Sequence, residues 1–233
     1  MIVINFTETG GLNLTSTDEY RILLEAIERD YGLGISQKKP DFQVASDVSY
    51  REAFDYACHY GLKHAAELRD ALGLVQSFFA KDVHLLDIGC GAALSAKIVM
   101  EFGIRIRTYT GVDHAPAQVW LARLVNLGSN FTTSLEVLPM LREPGLVIMN
   151  HICAQKNVGD DDLENWARNL NRIFPDGFDV LSIEPQMNIP KQDRFIEFLN
   201  KVGHDSMVLT RLRTPGQFAY PKQTAVIRVG GHR

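Results

Sequence analysis

The stretch that decides the fold is Val83-His-Leu-Leu-Asp-Ile-Gly-Cys-Gly-Ala-Ala-Leu-Ser-Ala-Lys-Ile-Val99. Its first part, Val83–Ile88, is an apolar run of strand length. The next residues, Gly89–Ala93, are all small and predict a tight turn. From Leu94 onward, apolar residues recur at helical spacing, with Ile98 and Phe102 on the same face. The stretch therefore predicts a buried strand that runs through a tight turn into a helix, where a ligand can approach the backbone closely.

Two acidic residues accompany this turn. Asp87 lies two residues before Gly89, and Asp113 ends a second predicted strand about 24 residues after Gly89. An acid at that distance can accept hydrogen bonds from the two hydroxyls of a ribose. The dinucleotide-binding pattern G-x-G-x-x-G is incomplete, because Leu94 occupies its third glycine position. The acid before the first glycine also favours a ligand with a cationic ammonium group over one with a pyrophosphate.

Two segments carry a resemblance to a known family: Leu86-Asp-Ile-Gly-Cys-Gly91 and Gly111-Val-Asp113. Together they resemble motif I and its acidic partner in the class I S-adenosylmethionine-dependent methyltransferases. Ala93 departs from the pattern, because the family often has a third glycine there. The resemblance covers roughly residues 80–230 and implies S-adenosylmethionine as the cofactor. The cofactor-binding residues that follow from it are Asp87, Gly89, Cys90, Gly91, Asp113, His114 and Asn150.

Strands and helices alternate from residue 83 onward, which predicts a parallel sheet with helices on both faces. A third strand is predicted within Phe131–Leu138. The last two predicted strands, Ser206–Arg213 and Thr224–Val229, have no helix between them and predict an antiparallel pair at one edge. We therefore expect an α/β fold: a Rossmann-like, seven-stranded, mostly parallel sheet with an antiparallel edge strand and an N-terminal helical cap. This divides the chain into a cap and substrate region, 1–80, and a methyltransferase domain, 81–233.

The cap contains a strongly helical segment, Ser49–Phe79, which begins with a capping-box pattern and has Gly61 as a candidate break. Helices placed before the first strand of such a fold usually cap the cofactor cleft or build the substrate pocket. The tyrosines of this segment are therefore candidate substrate contacts, with core packing as the alternative for each. They are Tyr50, Tyr56 and Tyr60.

Two residues are candidates for catalysis, because ligands of open parallel sheets bind beyond the carboxyl ends of the strands. His151 follows the predicted fourth strand, Gly145–Asn150, and an unperturbed histidine pKa near neutrality suits a general base. The alternative is that His151 only orients the loop. Glu184 ends the fifth predicted strand and has loop anchoring as its alternative. Cys153 is interpreted as a buried structural thiol, and no metal site is predicted.

Composition narrows the class of partner and the compartment. The chain has 233 residues, 45% of them hydrophobic, and a formal net charge of −4. A negative net charge favours a small-molecule acceptor over a polyanion such as RNA. No run of 18 apolar residues and no signal-peptide pattern is present, so we expect a cytoplasmic protein without membrane association. Three widely spaced cysteines do not form a disulfide framework, and the oligomeric state is not predicted.

The sequence thus predicts an S-adenosylmethionine-dependent methyltransferase that acts on an oxygen or nitrogen of a small molecule. The alternatives are an RNA methyltransferase and a non-catalytic protein that binds the cofactor as a sensor or assembly partner. A weaker resemblance supports the RNA alternative: Ser49–Tyr56 and Glu184-Pro185 are similar to segments of the ribosomal small-subunit methyltransferase-like family. Gln186 replaces a glycine of that family, and the cysteine cluster of its iron–sulfur site is missing.

Overall fold

The computed structural model describes residues 17–33, 47–126, 129–153, 155, 157–186, 189–202, 205–214 and 222–230. Within these residues, one sheet is formed by β1 (Asp82–Ile88), β2 (Arg105–Val112), β3 (Asn130–Thr132), β4 (Gly145–Asn150), β5 (Gly177–Pro185), β6 (Ser206–Thr214) and β7 (Lys222–Gly230). The order across the sheet is β3-β2-β1-β4-β5-β7-β6. This arrangement confirms the predicted seven-stranded α/β fold.

The antiparallel strand, β7, lies one position in from the edge of the sheet. Strands β1 to β5 are mutually parallel, whereas β7 is antiparallel to both β5 and β6. The predicted antiparallel pair at one edge is therefore confirmed, with β6 on the edge running in the direction of β1. The chain leaves β1 toward β2 on one side and later returns to β4 on the other. This change of direction opens a crevice at the carboxyl ends of β1 and β4.

The helices flank this sheet on both faces. They are α1 (Thr17–Tyr31), α2 (Tyr50–Tyr56), α3 (Leu62–Val75), α4 (Ser95–Glu101), α5 (Pro116–Val125), α6 (Asp160–Ile173) and α7 (Ile189–Lys201). Helix α2 begins with the predicted capping box: the Glu52 amide donates to Ser49 Oγ, and the Ser49 amide donates to the Glu52 carboxylate. This pair satisfies two amides that the first helical turn leaves without a partner.

Gly61 does not end the helix that contains it. Residues Ala57–Gly61 form a π-helical turn through which α2 continues into α3. A Cβ atom on Gly61 would lie 2.7 Å from the hydroxyl oxygen of Tyr20 in α1. The glycine therefore allows α1 to pack closely against the turn. Such π-helical turns occur frequently at functional sites.

Strand β3 is shorter than the sequence predicts. The predicted third strand within Phe131–Leu138 is confirmed as the short β3, which ends at Thr132, where the Ser134 amide turns back to donate to the Thr132 hydroxyl oxygen at 3.4 Å. Local bonds of this kind compete with strand pairing. Leu135, which follows, is buried against the side of the sheet that carries α6 and α7.

Apolar side chains cover both faces of the sheet. Helices α3 and α4 contribute to one hydrophobic cluster with β1 and β4, and α6 and α7 contribute to another on the opposite face. Helices α1 and α2 pack against α5. Among the helices that precede β1, α3 thus shares its core with the sheet, while α1 and α2 reach it through α5. A domain boundary at residue 80 stays a prediction. No helix among the described residues is both long enough and apolar enough to cross a membrane.

Two glycine substitutions test this packing. A Cβ on Gly111 in β2 would lie 2.6 Å from two ring atoms of Phe131 and 2.9 Å from Cys90 Sγ, whereas a Cβ on Gly73 in α3 would lie 3.8 Å from its nearest neighbour. We expect Gly111→Ala to lower the free energy of unfolding by about 1–3 kcal/mol through overpacking. Gly73→Ala should raise it by about 0.5–1 kcal/mol through helix propensity. Urea unfolding of both variants checks this, and equal effects would contradict it.

Candidate functional site

The loop between β1 and α4 is held against the end of β2. The amides of Gly89 and Cys90 both donate to the Val112 carbonyl oxygen, at 2.7 and 3.1 Å. Gly89 has a φ of 72°, and a Cβ there would lie 2.6 Å from Ile152 Cδ1, so only glycine fits. Because the Cys90 amide is bonded to β2, the predicted contribution of Cys90 to ligand binding is limited to its place in the wall of the loop.

The same loop leaves one face open. Gly91 has a φ of 49°, and apart from Gly91 and its two chain neighbours no described residue has an atom within 4 Å of where its Cβ would be. Ala93, at the position where a third glycine is common in the resembling family, also has a positive φ, of 57°. An alanine is strained in that region, so the loop keeps the left-handed geometry of the motif without the third glycine.

The carboxylate of Asp113 joins this loop to α5. Its two oxygens accept hydrogen bonds from the amides of Gly91 and Ala115, both at 3.1 Å. Burial raises the pKa of Asp113, and these backbone hydrogen bonds act in the opposite direction. A carboxylate has about four lone-pair positions, so the group retains capacity for a ligand.

Asp87 lies beside it at the end of β1. One oxygen of its carboxylate accepts hydrogen bonds from the hydroxyls of Ser95 and Tyr109, the latter at 3.1 Å. Burial raises the pKa of Asp87 to about 6, because the buried site disfavours the charged form more than the two hydroxyls favour it. A cationic group bound nearby would favour the ionised form.

A cavity opens between this loop and the cap. Its described lining contains two carboxylates and no lysine or arginine. Several of the sequence-predicted residues meet here, together with residues from the cap and α5. Its polar lining consists of Tyr56, His64, Asp87, Cys90, Ser95, Asp113, His114, Gln118, Asn150, His151 and Gln155.

A second cavity adjoins the first, and Gly89 and His114 line both. It lies between the ends of β1, β2 and β3 and helix α6. Its walls combine apolar side chains with hydroxyl, imidazole and amide groups. The remaining lining residues are Ile88, Val112, Thr133, Ser134, Leu135, Ile152, Asn165 and Trp166.

His151 belongs to a buried network of charged and polar groups. Its Nε2 lies 2.6 Å from a carboxylate oxygen of Glu67, and its Nδ1 lies 3.4 Å from Lys222 Nζ. Lys222 Nζ is also 3.7 Å from the other Glu67 carboxylate oxygen. The His151 ring stacks on the His64 ring, with the two centroids 4.6 Å apart. His151 has a φ of 61°, a strained conformation that its surroundings must impose.

This environment alters the chemistry expected of His151. Burial lowers its pKa to about 3, and the positive charge of Lys222 acts in the same direction. A pKa lowered in this way favours the neutral imidazole at physiological pH, and the assignment of His151 as a general base stays a prediction. Both ring nitrogens face protein groups, Glu67 on one side and Lys222 on the other, so the geometry favours the orienting role over proton abstraction.

The network also brings together three potential metal ligands. Atoms of His64, Glu67 and His151 lie within 4.8 Å of one another. However, the two imidazole planes are only 24° from parallel, so their in-plane lone pairs do not converge on one point. Lys222 already supplies a cation beside Glu67. The arrangement thus fits a hydrogen-bonded ion-pair network better than a metal centre.

The two other residues at the ends of β4 and β5 have different environments. Glu184 is fully buried and accepts a hydrogen bond from the Cys153 amide at 2.9 Å, which fits loop anchoring, and it does not line the cavity. Asn150 does line the cavity, and its amide donates to the His64 carbonyl oxygen at 3.2 Å. Asn150 therefore connects the carboxyl end of β4 to the cap.

The three predicted tyrosines separate in the structure. Tyr56 lines the cavity, and burial raises the pKa of its hydroxyl. Tyr60 is buried behind it, with the two ring centroids 4.9 Å apart. Tyr50 is exposed and packs on Trp120, away from the cavity lining. Only Tyr56 is thus placed to contact a ligand directly.

Sequence reasoning missed several residues of this site. His64, Gln118 and Gln155 line the cavity, while Glu67 and Lys222 surround His151. The only sequence signal for the network is the spacing of His64 and Glu67, which places both on one face of α3. Lys222 is distant in sequence from both, so its place could be found only from the folded chain.

Comparisons with known proteins agree with this geometry. No protein-family model matches the chain, and no curated protein does so. Among solved structures, a TehB-like SAM-dependent methyltransferase from Corynebacterium glutamicum has a TM-score of 0.56 at 15% identity, over 79% of this chain and 100% of that one. The chain has the class I methyltransferase fold.

Two further structures share this methyltransferase fold. A SAM-dependent methyltransferase from Archaeoglobus fulgidus has a TM-score of 0.52 at 14% identity, over 75% of this chain and 99% of that one. The N-methyltransferase NodS from Bradyrhizobium japonicum has a TM-score of 0.53 at 13% identity, over 74% and 97%. At these identities the likeness concerns the fold, so function must be argued from the site.

The raised pKa of Asp87 predicts a pH-dependent stability. Between pH 4 and 6 the folded protein keeps a proton that the unfolded chain loses, so this group lowers stability as the pH rises through that window. We expect Asp87→Asn to become more stable than the wild type as the pH increases from 4 to 7, by about 1–3 kcal/mol in total. Urea unfolding at several pH values measures the difference. A difference that does not change with pH would contradict this.

Removal of Lys222 tests the buried network. Lys222→Met leaves the carboxylate of Glu67 buried without its cation, so we expect a loss of about 3–5 kcal/mol in the free energy of unfolding. Arg194→Met removes an exposed arginine that pairs with Asp160 and Glu197, and should cost less than about 1 kcal/mol. Similar losses for the two variants would show that the network is not stabilised by Lys222.

Proposed function

We propose that the protein is an S-adenosylmethionine-dependent methyltransferase that transfers a methyl group to a nitrogen or oxygen of a small molecule. One observation carries the cofactor: Asp87 and Asp113 lie buried beside the open face of Gly91, in a cavity whose described lining has no lysine or arginine. S-adenosylmethionine has two positive groups, a sulfonium and an ammonium, and one negative group, a carboxylate. Such a lining suits this ligand and is unfavourable for the pyrophosphate of a dinucleotide.

The two cavities divide the cofactor between them in this proposal. Asp113 holds the ribose, and Asp87 with the glycine loop holds the amino-acid end. The second cavity, between Val112, Leu135 and Trp166, takes the adenine, because it joins the first at Gly89 and His114 and offers both apolar side chains and polar groups to a base. Thr133 and Ser134 supply polar groups next to the edge of the adenine.

The chain's own residues position the acceptor in this proposal. When bound, S-adenosylmethionine supplies a methyl group activated for displacement by its sulfonium charge. Tyr56, His64 and Asn150 line the opposite side of the cavity and place the acceptor atom while excluding water. His151 acts as a positioning residue, because it fixes His64 by stacking and Glu67 by hydrogen bonding. Glu184 anchors the following turn through the Cys153 amide.

Whether these residues must include a general base depends on the acceptor. An acceptor that must lose a proton needs a neutral base on this wall. Burial lowers the pKa of His64 well below its ordinary value, so its imidazole is neutral at physiological pH but is a weak proton acceptor. An acceptor with a free lone pair needs only positioning.

Charge favours a small-molecule acceptor over RNA. The chain has a net charge of −4, and the described cavity lining contains no cation that would neutralise a phosphate. RNA methylation and non-catalytic cofactor binding are the two competing functions. Transfer of a labelled methyl group to products in a cell extract distinguishes these functions from methylation of a small molecule.

The cofactor half is tested through Asp113. We expect wild-type protein to bind S-adenosylmethionine in a calorimetric titration and Asp113→Ala to bind at least about tenfold more weakly, because a charge-assisted hydrogen bond contributes about 1.5–3 kcal/mol. The exposed variant Asp161→Ala should match the wild type. A 2′,3′-dideoxy cofactor analogue should lose affinity for the wild type but little for Asp113→Ala. If both proteins discriminate against the analogue equally, Asp113 does not bind the ribose.

The acceptor half is tested with methyl-labelled cofactor and a cell extract. We expect label in low-molecular-weight products that survive nuclease and protease treatment. Label that nuclease releases would assign an RNA acceptor instead. Tight cofactor binding without any transferred label would support the non-catalytic alternative.

A further inference from the structure

One buried side chain of the cavity, that of Gln118, makes no hydrogen bond within the described part of the protein. Gln118 lies in the first turn of α5 and is 1% exposed. It lines the same cavity as Gly91 and Asp113. Neither its Nε2 nor its Oε1 has a hydrogen-bond partner among the residues that the structure describes.

A second buried glutamine shows how unusual this is. Gln192 in α7 is fully buried, and its Nε2 donates to Ser182 Oγ at 2.8 Å while its Oε1 accepts from Gln223 at 2.8 Å. A buried amide without such partners costs about 1–3 kcal/mol for each unsatisfied group. An apolar residue of the same volume would fill the position of Gln118 without that cost, so the amide is explained by what enters the cavity.

We propose that Gln118 is a second ribose-binding residue that works with Asp113 on the bound nucleoside. This inference rests on the proposed cofactor and adds a specificity-determining residue that the sequence motifs do not contain.

The proposal follows from the complementarity of the two side chains. An ionised carboxylate only accepts hydrogen bonds, so Asp113 takes the hydroxyl protons of a ribose but offers nothing to their lone pairs. An amide both donates and accepts, so Nε2 of Gln118 supplies the missing donor. The Asp113 carboxylate accepts from the backbone amide of Ala115, and the backbone amide of Gln118 donates to the Ala115 carbonyl oxygen. Asp113 and the backbone of Gln118 are thereby held by the same turn at the start of α5.

The test compares Gln118→Met with Gln192→Met, which remove a side-chain amide at nearly constant volume. For Gln118→Met we expect affinity for S-adenosylhomocysteine to fall about fivefold to tenfold, while thermal stability without ligand is unchanged or increased. For Gln192→Met we expect the reverse, a lowered melting temperature with unchanged affinity, because Ser182 and Gln223 lose their partner. The loss in Gln118→Met should disappear with the 2′,3′-dideoxy analogue.

Each other outcome overturns the proposal in a recognisable way. Equal affinities of wild type and Gln118→Met would show that the amide does not contact the ligand. A melting temperature lowered as in Gln192→Met would show that the amide has a structural partner. A loss that persists with the dideoxy analogue would place the contact away from the ribose. Wild-type protein that binds neither S-adenosylhomocysteine nor S-adenosylmethionine would overturn the proposed function, and this inference with it.

Discussion

The site depends on one buried carboxylate that binds two separate backbone segments. Asp113 accepts hydrogen bonds from the amides of Gly91 and Ala115, and so joins the loop after β1 to the start of α5. The glycine loop is bonded to the end of β2 by two further amides that share the Val112 carbonyl. Because the loop is fixed at both ends, its open face at Gly91 is preformed, and a ligand need not order it on binding.

A second constraint connects the helical cap to the sheet. Glu67 on α3, His151 after β4 and Lys222 at the start of β7 form a network with almost no exposure to solvent. Isolated charges in such a place would be strongly unfavourable, so each group requires the others. The network fixes the cap wall relative to the carboxyl ends of the strands. His151, which has the position expected of a catalytic base, thereby contributes to holding that wall in place.

The two halves of the crevice differ in character. The half nearer the glycine loop is acidic, with Asp87 and Asp113, while the half nearer the cap is aromatic and neutral, with Tyr56 and His64. A cationic cofactor suits the first half, and an acceptor without negative charge suits the second. The absence of lysine and arginine from the described cavity lining thus bears on both partners of the proposed reaction.

The sequence by itself determined the strand–turn–helix unit, the α/β class and the two acids of the loop, because these follow from local periodicity and short spacing. It also located Asn150 and His151 at the end of β4. Tertiary structure alone decided that His151 is buried and enclosed by Glu67 and Lys222, which lie 84 and 71 residues away. It likewise decided that Glu184 faces a backbone amide and that Gln118 faces the cavity. Burial and pairing set the pKa and the role of a side chain, and they depend on which distant elements pack together, which local sequence does not encode.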